Sequence, residues 1–413
     1  MSSPTAKLSF GEVLAIPSVR RLWIAQLVSI FGDFLAIFAV FSVVTFQLHG
    51  TPEQVSMILV AYLLPLALIS PFAGVFVDKW NVKWTMIASD VIRGLMVLVL
   101  LFERDLNVIY GVFLALSCVS SFFVPAQSVA VRTIAPAAGL MAVNGLMSQA
   151  VQGSQIISPA ISGLLVQWLG ANACFLFDSV SFFVSAALVF SLTIERKTVP
   201  AAAQSVLDSL KSGFRFIFTH AAISFVIISM TMGMFAIRCF GVLLSVYVRD
   251  ILQSNAALFG TLNSLIGIGM IVGTQSLHRS ARKASQQSLV IFGLSFMGCA
   301  VLLTAIFGKV ATTALGMLGL GFGAAFIMVP SQTLLQGETP QELLGRVMSS
   351  LMSLMAMSQV IAMTVAGPVA EKYGIRNLYL ASAAMLLTIG VVGFAKLRRP
   401  RPEEARAMAA SAD

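Results

Sequence analysis

The sequence predicts an all-α integral membrane protein, with twelve transmembrane helices in two pseudo-symmetric six-helix bundles. Three observations carry this. Of 413 residues, 58% are hydrophobic and 10% charged, with a mean hydropathy of +0.92, a balance that no soluble domain of this size shows. The apolar residues gather in runs of about 20, the length that crosses a bilayer as a helix. Landmarks of the first half then return in the second. The 31 Gly and 14 Pro sit largely inside the runs, which spanning helices tolerate, whereas an outer-membrane barrel would show short alternating segments.

The runs fall at residues 22–46, 54–77, 84–102, 107–131, 141–168 and 171–193, then at 222–248, 256–277, 287–307, 311–333, 344–370 and 376–396. The polar N-terminus MSSPTAKLSF is unlike a cleavable leader, and the first run is long enough to span. With both termini cytoplasmic, 19 of the 26 Lys and Arg lie inside, five outside, and two, Arg93 and Arg238, within spans, which fixes the orientation. The formal charge of +9 therefore reflects topology and implies no nucleic-acid partner. Cys118, Cys174, Cys239 and Cys299 stand singly without a CxxC or nearby His, so they read as packing residues, with no metal site.

The connection after the sixth run contains VLDSLKSGFRFIF, whose apolar residues recur at helical spacing opposite Asp208, Lys211 and Arg215. It predicts an interfacial amphipathic helix. The domains are accordingly an N-terminal bundle (1–193), a cytoplasmic linker (194–221), a C-terminal bundle (222–396) and a cytoplasmic tail (397–413). The repeat joins Val124-Pro125-Ala126-Gln127 to Val329-Pro330-Ser331-Gln332, and Ser158-Pro159 with Trp168-Leu169-Gly170 to Gly367-Pro368 with Tyr373-Gly374. Their offsets are about half the chain, the mark of a six-plus-six duplication.

Between the second and third runs, Gly74-Val75-Phe76-Val77-Asp78-Lys79-Trp80-Asn81-Val82-Lys83 resembles the loop signature GxxxD(R/K)xGR(R/K) of the major facilitator superfamily. Gly74, Asp78, Lys79 and Lys83 match, while Asn81 and Val82 replace the usual Gly and Arg. The resemblance covers essentially the whole chain. It implies a secondary transporter working by alternating access, with this loop latching the halves against the start of the eleventh helix, where Thr339-Pro340-Gln341-Glu342 reads as a capping box. In the fifth helix, Gly153 and Ser158-Pro159-Ala160-Ile161-Ser162-Gly163 resemble the antiporter motif GPxxGG, with Ser158 and Ser162 where glycines are usual. Ordinary packing of small residues explains that stretch equally well.

Within the superfamily, FFVPAQSVAVRTIAP, MAVNGLM, VYVRDIL and LLGRVMS resemble the macrolide-efflux and siderophore-export subgroup. Gly32-Asp33, Pro125-Ala126, Ala142-Val143-Asn144-Gly145-Leu146 and Arg238 partly resemble bacterial lysophospholipid transporters, although Gln127 stands where those carry Lys.

An ionisable residue inside a span is a functional-site hypothesis. Asp33 and Arg238 are the deepest, on the equivalent first helices of the two halves, which in the superfamily face the central cavity. Asp33 reads either as a proton-coupling carboxylate or as one member of a fixed pair with Arg238. Asp90 and Arg93, at i and i+3, neutralise one another near the loop latch; Asp178 reads as a cap or a buried hydrogen-bonding group in preference to the alternative, a transport residue. Gln127, Asn144, Asn263 and Gln332 are candidate cavity-lining amides, with Gln26, Gln149 and Gln359 beside them.

No P-loop, HExxH or GxSxG occurs, so neither catalysis nor a cofactor is expected. The expected function is proton-coupled export of a small amphipathic substrate by a monomer in a bacterial inner membrane. The alternatives are a lysophospholipid flippase and a transport-inactive sensor or scaffold.

Overall fold

The computed structural model describes residues 8–77, 79–194, 215, 217–280 and 284–397. A short α1 (Phe10–Ala15) precedes six long helices: α2 (Pro17–Ser42), α3 (Pro52–Val77), α4 (Val82–Phe102), α5 (Leu106–Ile134), α6 (Leu140–Leu169) and α7 (Ala171–Phe190). Six more follow: α8 (Ala221–Asp250), α9 (Ala256–Ser280), α10 (Gln286–Phe307), α11 (Val310–Glu338), α12 (Gln341–Tyr373) and α13 (Ile375–Leu397). Eleven of these twelve are long and apolar enough to cross a membrane. The exception, α6, is diluted by Asn144, Gln149, Gln152, Gln155 and Gln167.

All of the twelve long helices but α7, which stops at Phe190, run past the apolar runs, because caps rather than hydrophobicity decide where they begin and end. Pro17 stands in the first turn of α2, which continues beyond Ser42 as a π-helical turn over Val43–Gln47. Asn81, which replaces the glycine of the loop signature, accepts the Trp84 amide at 3.2 Å and caps α4. The capping box expected at Thr339 is not made through that side chain. Thr339 closes α11, and among the described residues its buried hydroxyl has no hydrogen-bond partner. The amphipathic helix expected in the linker lies largely outside the described residues.

The chain divides into two compact units. The first holds Met1–Ala202 with Val242–Ser264 and Met363–Glu371, and the second holds Ala203–Gly241, Leu265–Ala362 and Lys372–Asp413. The division expected at residues 194–221 follows the sequence repeat; that into units follows packing.

In the first unit, α2 packs on α6 and α7, α3 on α5, and α4 on α5 and α7. One end of its core joins Val13, Leu22, Met86, Phe123, Val143 and Val189. Elsewhere Phe259 meets Phe38 and Phe41 at ring-centroid distances of 5.7 and 6.3 Å. Arg249 Nη1 donates to the carbonyls of Thr45 and Gly50, both at 2.9 Å, placing a cation at a helix C-terminus where the dipole favours it. Glycine sets the closest crossing: a Cβ on Gly163 would stand 2.6 Å from the Ala256 carbonyl oxygen, and one on Gly260 would collide with that of Pro159.

The second unit uses the same device. Gly293 and Gly323 bring α10 and α11 into backbone contact, and Gly321 does so for α11 and α9. Tyr379 stacks on Phe240 at 4.1 Å and donates to its carbonyl at 3.2 Å. The repeat is visible in the backbone, because Gly170 and Gly374 share positive φ, +80° and +87°, at the starts of α7 and α13.

Candidate functional site

The charged centre of the first unit assembles from three helices. Asp90 and Arg93 share the buried face of α4, one turn apart, and they pair as their spacing predicts. Arg93 Nη1 also lies 3.7 Å from Asp33 Oδ2 on α2. Its guanidinium carbon packs 4.3 Å from the ring centroids of both Phe123 and Phe182, where each π-face adds to the stabilisation of the cation. Ser185 Oγ on α7 donates to Asp90 Oδ2 at 2.7 Å. Asp90 is fully buried, while the Asp33 side chain keeps 23% of its surface. The cluster therefore contains one fully buried carboxylate and one that is partly exposed.

Asp178 on α7, 1% exposed, belongs to the same constellation. Its Oδ1 lies against the backbone of Gly32, 2.7 Å from where a Cβ would stand, next to Asp33. The small Gly32 is what lets the carboxyl approach. Tyr62, from α3, is within electrostatic reach of Asp33, Arg93 and Asp178.

Asp33 and Arg238 each have a partner inside their own unit: Asp33 pairs with Arg93, and Arg238 Nε donates to Gln359 Oε1 at 2.8 Å. Of the amides, Asn144 and Gln332 are exposed, and Gln127 and Asn263 are half-buried.

The antiporter-like stretch is a packing element between α6, α2 and α9. Ser158 and Ser162 donate to the Phe31 and Leu35 carbonyls of α2 at 3.4 and 2.9 Å. The two serines that depart from the glycine pattern thus stitch α6 to the helix carrying Asp33. Pro159 and Gly163 form the crossing with Gly260, and Gly153 faces open space. In the loop signature, Lys79 is exposed and Lys83 Nζ lies 5.0 Å over the Phe190 ring. Asp78 lies outside the described residues, so the expected latch does too. A groove of about 510 Å³ opens beside the loop, lined by Trp80, Trp84, Ile92, Cys118, Val119 and Phe122 among others.

The profile of the Major Facilitator Superfamily matches residues 22–356 and 288–411. This chain belongs to that superfamily. It is 25% identical over 389 residues to the uncharacterized MFS-type transporter YfiS of Bacillus subtilis (strain 168), covering 91% of this chain and 92% of the relative. The multidrug efflux pump Tap of Mycolicibacterium fortuitum is 24% identical, covering 84% and 88%. Macrolide efflux protein A of Streptococcus pyogenes is 22% identical, covering 90% and 94%. Among solved structures, the nucleoside transporter NupG superposes with a TM-score of 0.70 at 14% identity, covering 93% of this chain and 100% of that one. That likeness supports the two-bundle transporter fold.

Proposed function

We propose that this superfamily member is a secondary active exporter of amphipathic small molecules, exchanging them for protons by alternating access in a bacterial inner membrane. The observation that carries the reading is the contact of Asp33 with Arg93. A partly exposed carboxylate in a spanning helix is costly unless paired, and its ion pair opens or closes with its own charge. Protonation of Asp33 removes its attraction for Arg93 and leaves the guanidinium to Asp90. A proton taken up at Asp33 thus changes how α2 and α4 hold one another. Relatives named for multidrug and macrolide efflux support both the direction and the substrate class.

The test is proton-driven transport by the purified full chain in liposomes, with a panel of hydrophobic cations and macrolides under an imposed pH gradient. Asp33→Asn is expected to abolish gradient-driven movement while leaving substrate binding in place. Gradient-driven transport at the wild-type rate in that variant removes the coupling role. Movement of a fluorescent lysophospholipid, with none of the drug panel, would replace the substrate class by the lipid alternative.

A further inference from the structure

Asp178 is a buried carboxyl that the exchange at Asp33 leaves without a task. Among the described residues its carboxyl accepts one hydrogen bond, a long one of 3.4 Å from Ser181 Oγ, which stands closer, at 2.7 Å, to the Asp178 carbonyl. Among the described residues the ion pairs are those of Arg93 with Asp33 and Asp90 and of Arg249 with Asp250; Asp178 takes part in none. The titratable and charged groups within electrostatic reach of it are Asp33 from α2, Arg93 from α4, Tyr62 from α3, and Cys174 one turn earlier on α7; Asp90 on α4 is held by Arg93 and Ser185. The other helix packed on α7, α6, has no ionisable side chain.

The cluster thus holds three carboxyls and one guanidinium. Arg93 is shared between Asp90 and Asp33, and the Asp33 side chain is partly exposed. A third carboxylate, 1% exposed and outside the ion pairs of Arg93, would carry much of the desolvation penalty of a buried charge, and such a group neutralises itself by binding a proton. We infer that Asp178 is a second proton-carrying carboxyl, seated beside Asp33 at the contact of α2 with α7. With Asp178 as the neutral acid and Asp33 and Asp90 ionised, the cluster has a net charge of −1. A proton arriving at Asp33 brings it to zero. Passing the Asp178 proton to an ionised Asp33 breaks one O–H and forms another and leaves the total charge unchanged; the buried charge this creates on Asp178 is costly, so Asp178 then takes back the next proton that reaches Asp33.

The part in transport rests on the proton-coupled reading; the bound proton does not, and the experiment separates them. Infrared spectra of the purified full chain in lipid at neutral pH should show the carbonyl stretch of a protonated carboxylic acid. Asp178→Asn should remove that band, Asp33→Asn should leave it, and Asp178→Glu should shift it. A band unchanged in both Asp178 variants overturns the inference, and the Glu variant decides should the Asn variant fail to fold. In liposomes, Asp178→Asn should lose gradient-driven transport as Asp33→Asn does, with Asp178→Glu retaining it; wild-type transport with an unaltered pH profile in Asp178→Asn also overturns it. If no substrate moves with protons while the band follows Asp178, the exporter reading falls and the assignment of the proton stands.

Discussion

Replacing Arg93 by alanine tests whether the cluster is held by charge or merely by shape. The change leaves Asp90 fully buried, with the Ser185 hydroxyl as its remaining donor. Removing one partner of a buried ion pair costs about 3–5 kcal/mol, and each aromatic contact of a desolvated guanidinium is worth about 0.5–2 kcal/mol. These losses share the same atoms and do not simply add, so about 4–5 kcal/mol is expected for Arg93→Ala. Arg93→Lys keeps the charge and loses the flat face packed on Phe123 and Phe182, and should cost about 1–3 kcal/mol. The decisive variant is the double change Arg93→Ala with Asp90→Asn. It removes both charges and preserves an acceptor for Ser185, so it should regain about 2 kcal/mol or more relative to Arg93→Ala alone. The assay is reversible unfolding of the purified protein by sodium dodecyl sulfate in mixed micelles, followed by tryptophan fluorescence. A double variant no more stable than Arg93→Ala would refute the reasoning, because the loss would then not arise from a stranded carboxylate.

Three further outcomes follow from the packing. Ser162→Ala removes the 2.9 Å bond to the Leu35 carbonyl and should cost about 0.6–1.7 kcal/mol in the same unfolding assay; Ser158→Ala, whose bond is 3.4 Å, should cost less. Two glycines of one motif should behave oppositely. Gly163→Ala forces a methyl to within 2.6 Å of a backbone oxygen and should destabilise by about 1–3 kcal/mol, while Gly153→Ala meets open space and should gain about 0.5–1 kcal/mol from helix propensity. At the N-terminus, the backbone amide and hydroxyl of Ser9 hold the Glu12 carboxyl below its usual range. A lowered folded value means that the contribution to α1 is present above the ordinary value of 4.5 and fades as the pH falls through the folded one. Amide exchange at Val13, corrected for its intrinsic pH dependence, should therefore rise on acidification in the wild type and stay flat in Glu12→Gln.

The twelve long helices and the transporter family were legible because apolar runs of bilayer length and a half-chain repeat are properties of the chain itself. What the runs do not encode is where capping and turn chemistry extend a helix. The π-turn at Val43–Gln47 and the short α1 escaped for that reason, since six residues give too little periodicity to read. The charged cluster was legible only in pieces. Spacing gives the pair of Asp90 with Arg93, because i and i+3 share a helix face. It gives neither Asp33 as the second contact of Arg93 nor the approach of Asp178, because both depend on which faces of α2, α4 and α7 meet. Charge arithmetic was the available signal: the spans of the first half carry three carboxylates and a single arginine, an imbalance that points to a shared proton more directly than any one residue does.

The paired glycines Gly170 and Gly374 have a consequence for how the two halves can be compared. Their backbone angles, φ +80° and +87°, lie where an ordinary side chain is strained by about 1–3 kcal/mol. Substitution there is penalised at the level of backbone stereochemistry, whatever the cargo, the coupling ion or the neighbouring side chains. The two positions therefore act as reference marks by which one half can be laid on the other after the side chains around them have drifted apart. Any pair of residues from α7 and α13 counted from these marks is a matched comparison. By that count Asp178, eight residues beyond Gly170, corresponds to Ser382 in the second half: at this matched position the acid occurs in one half only.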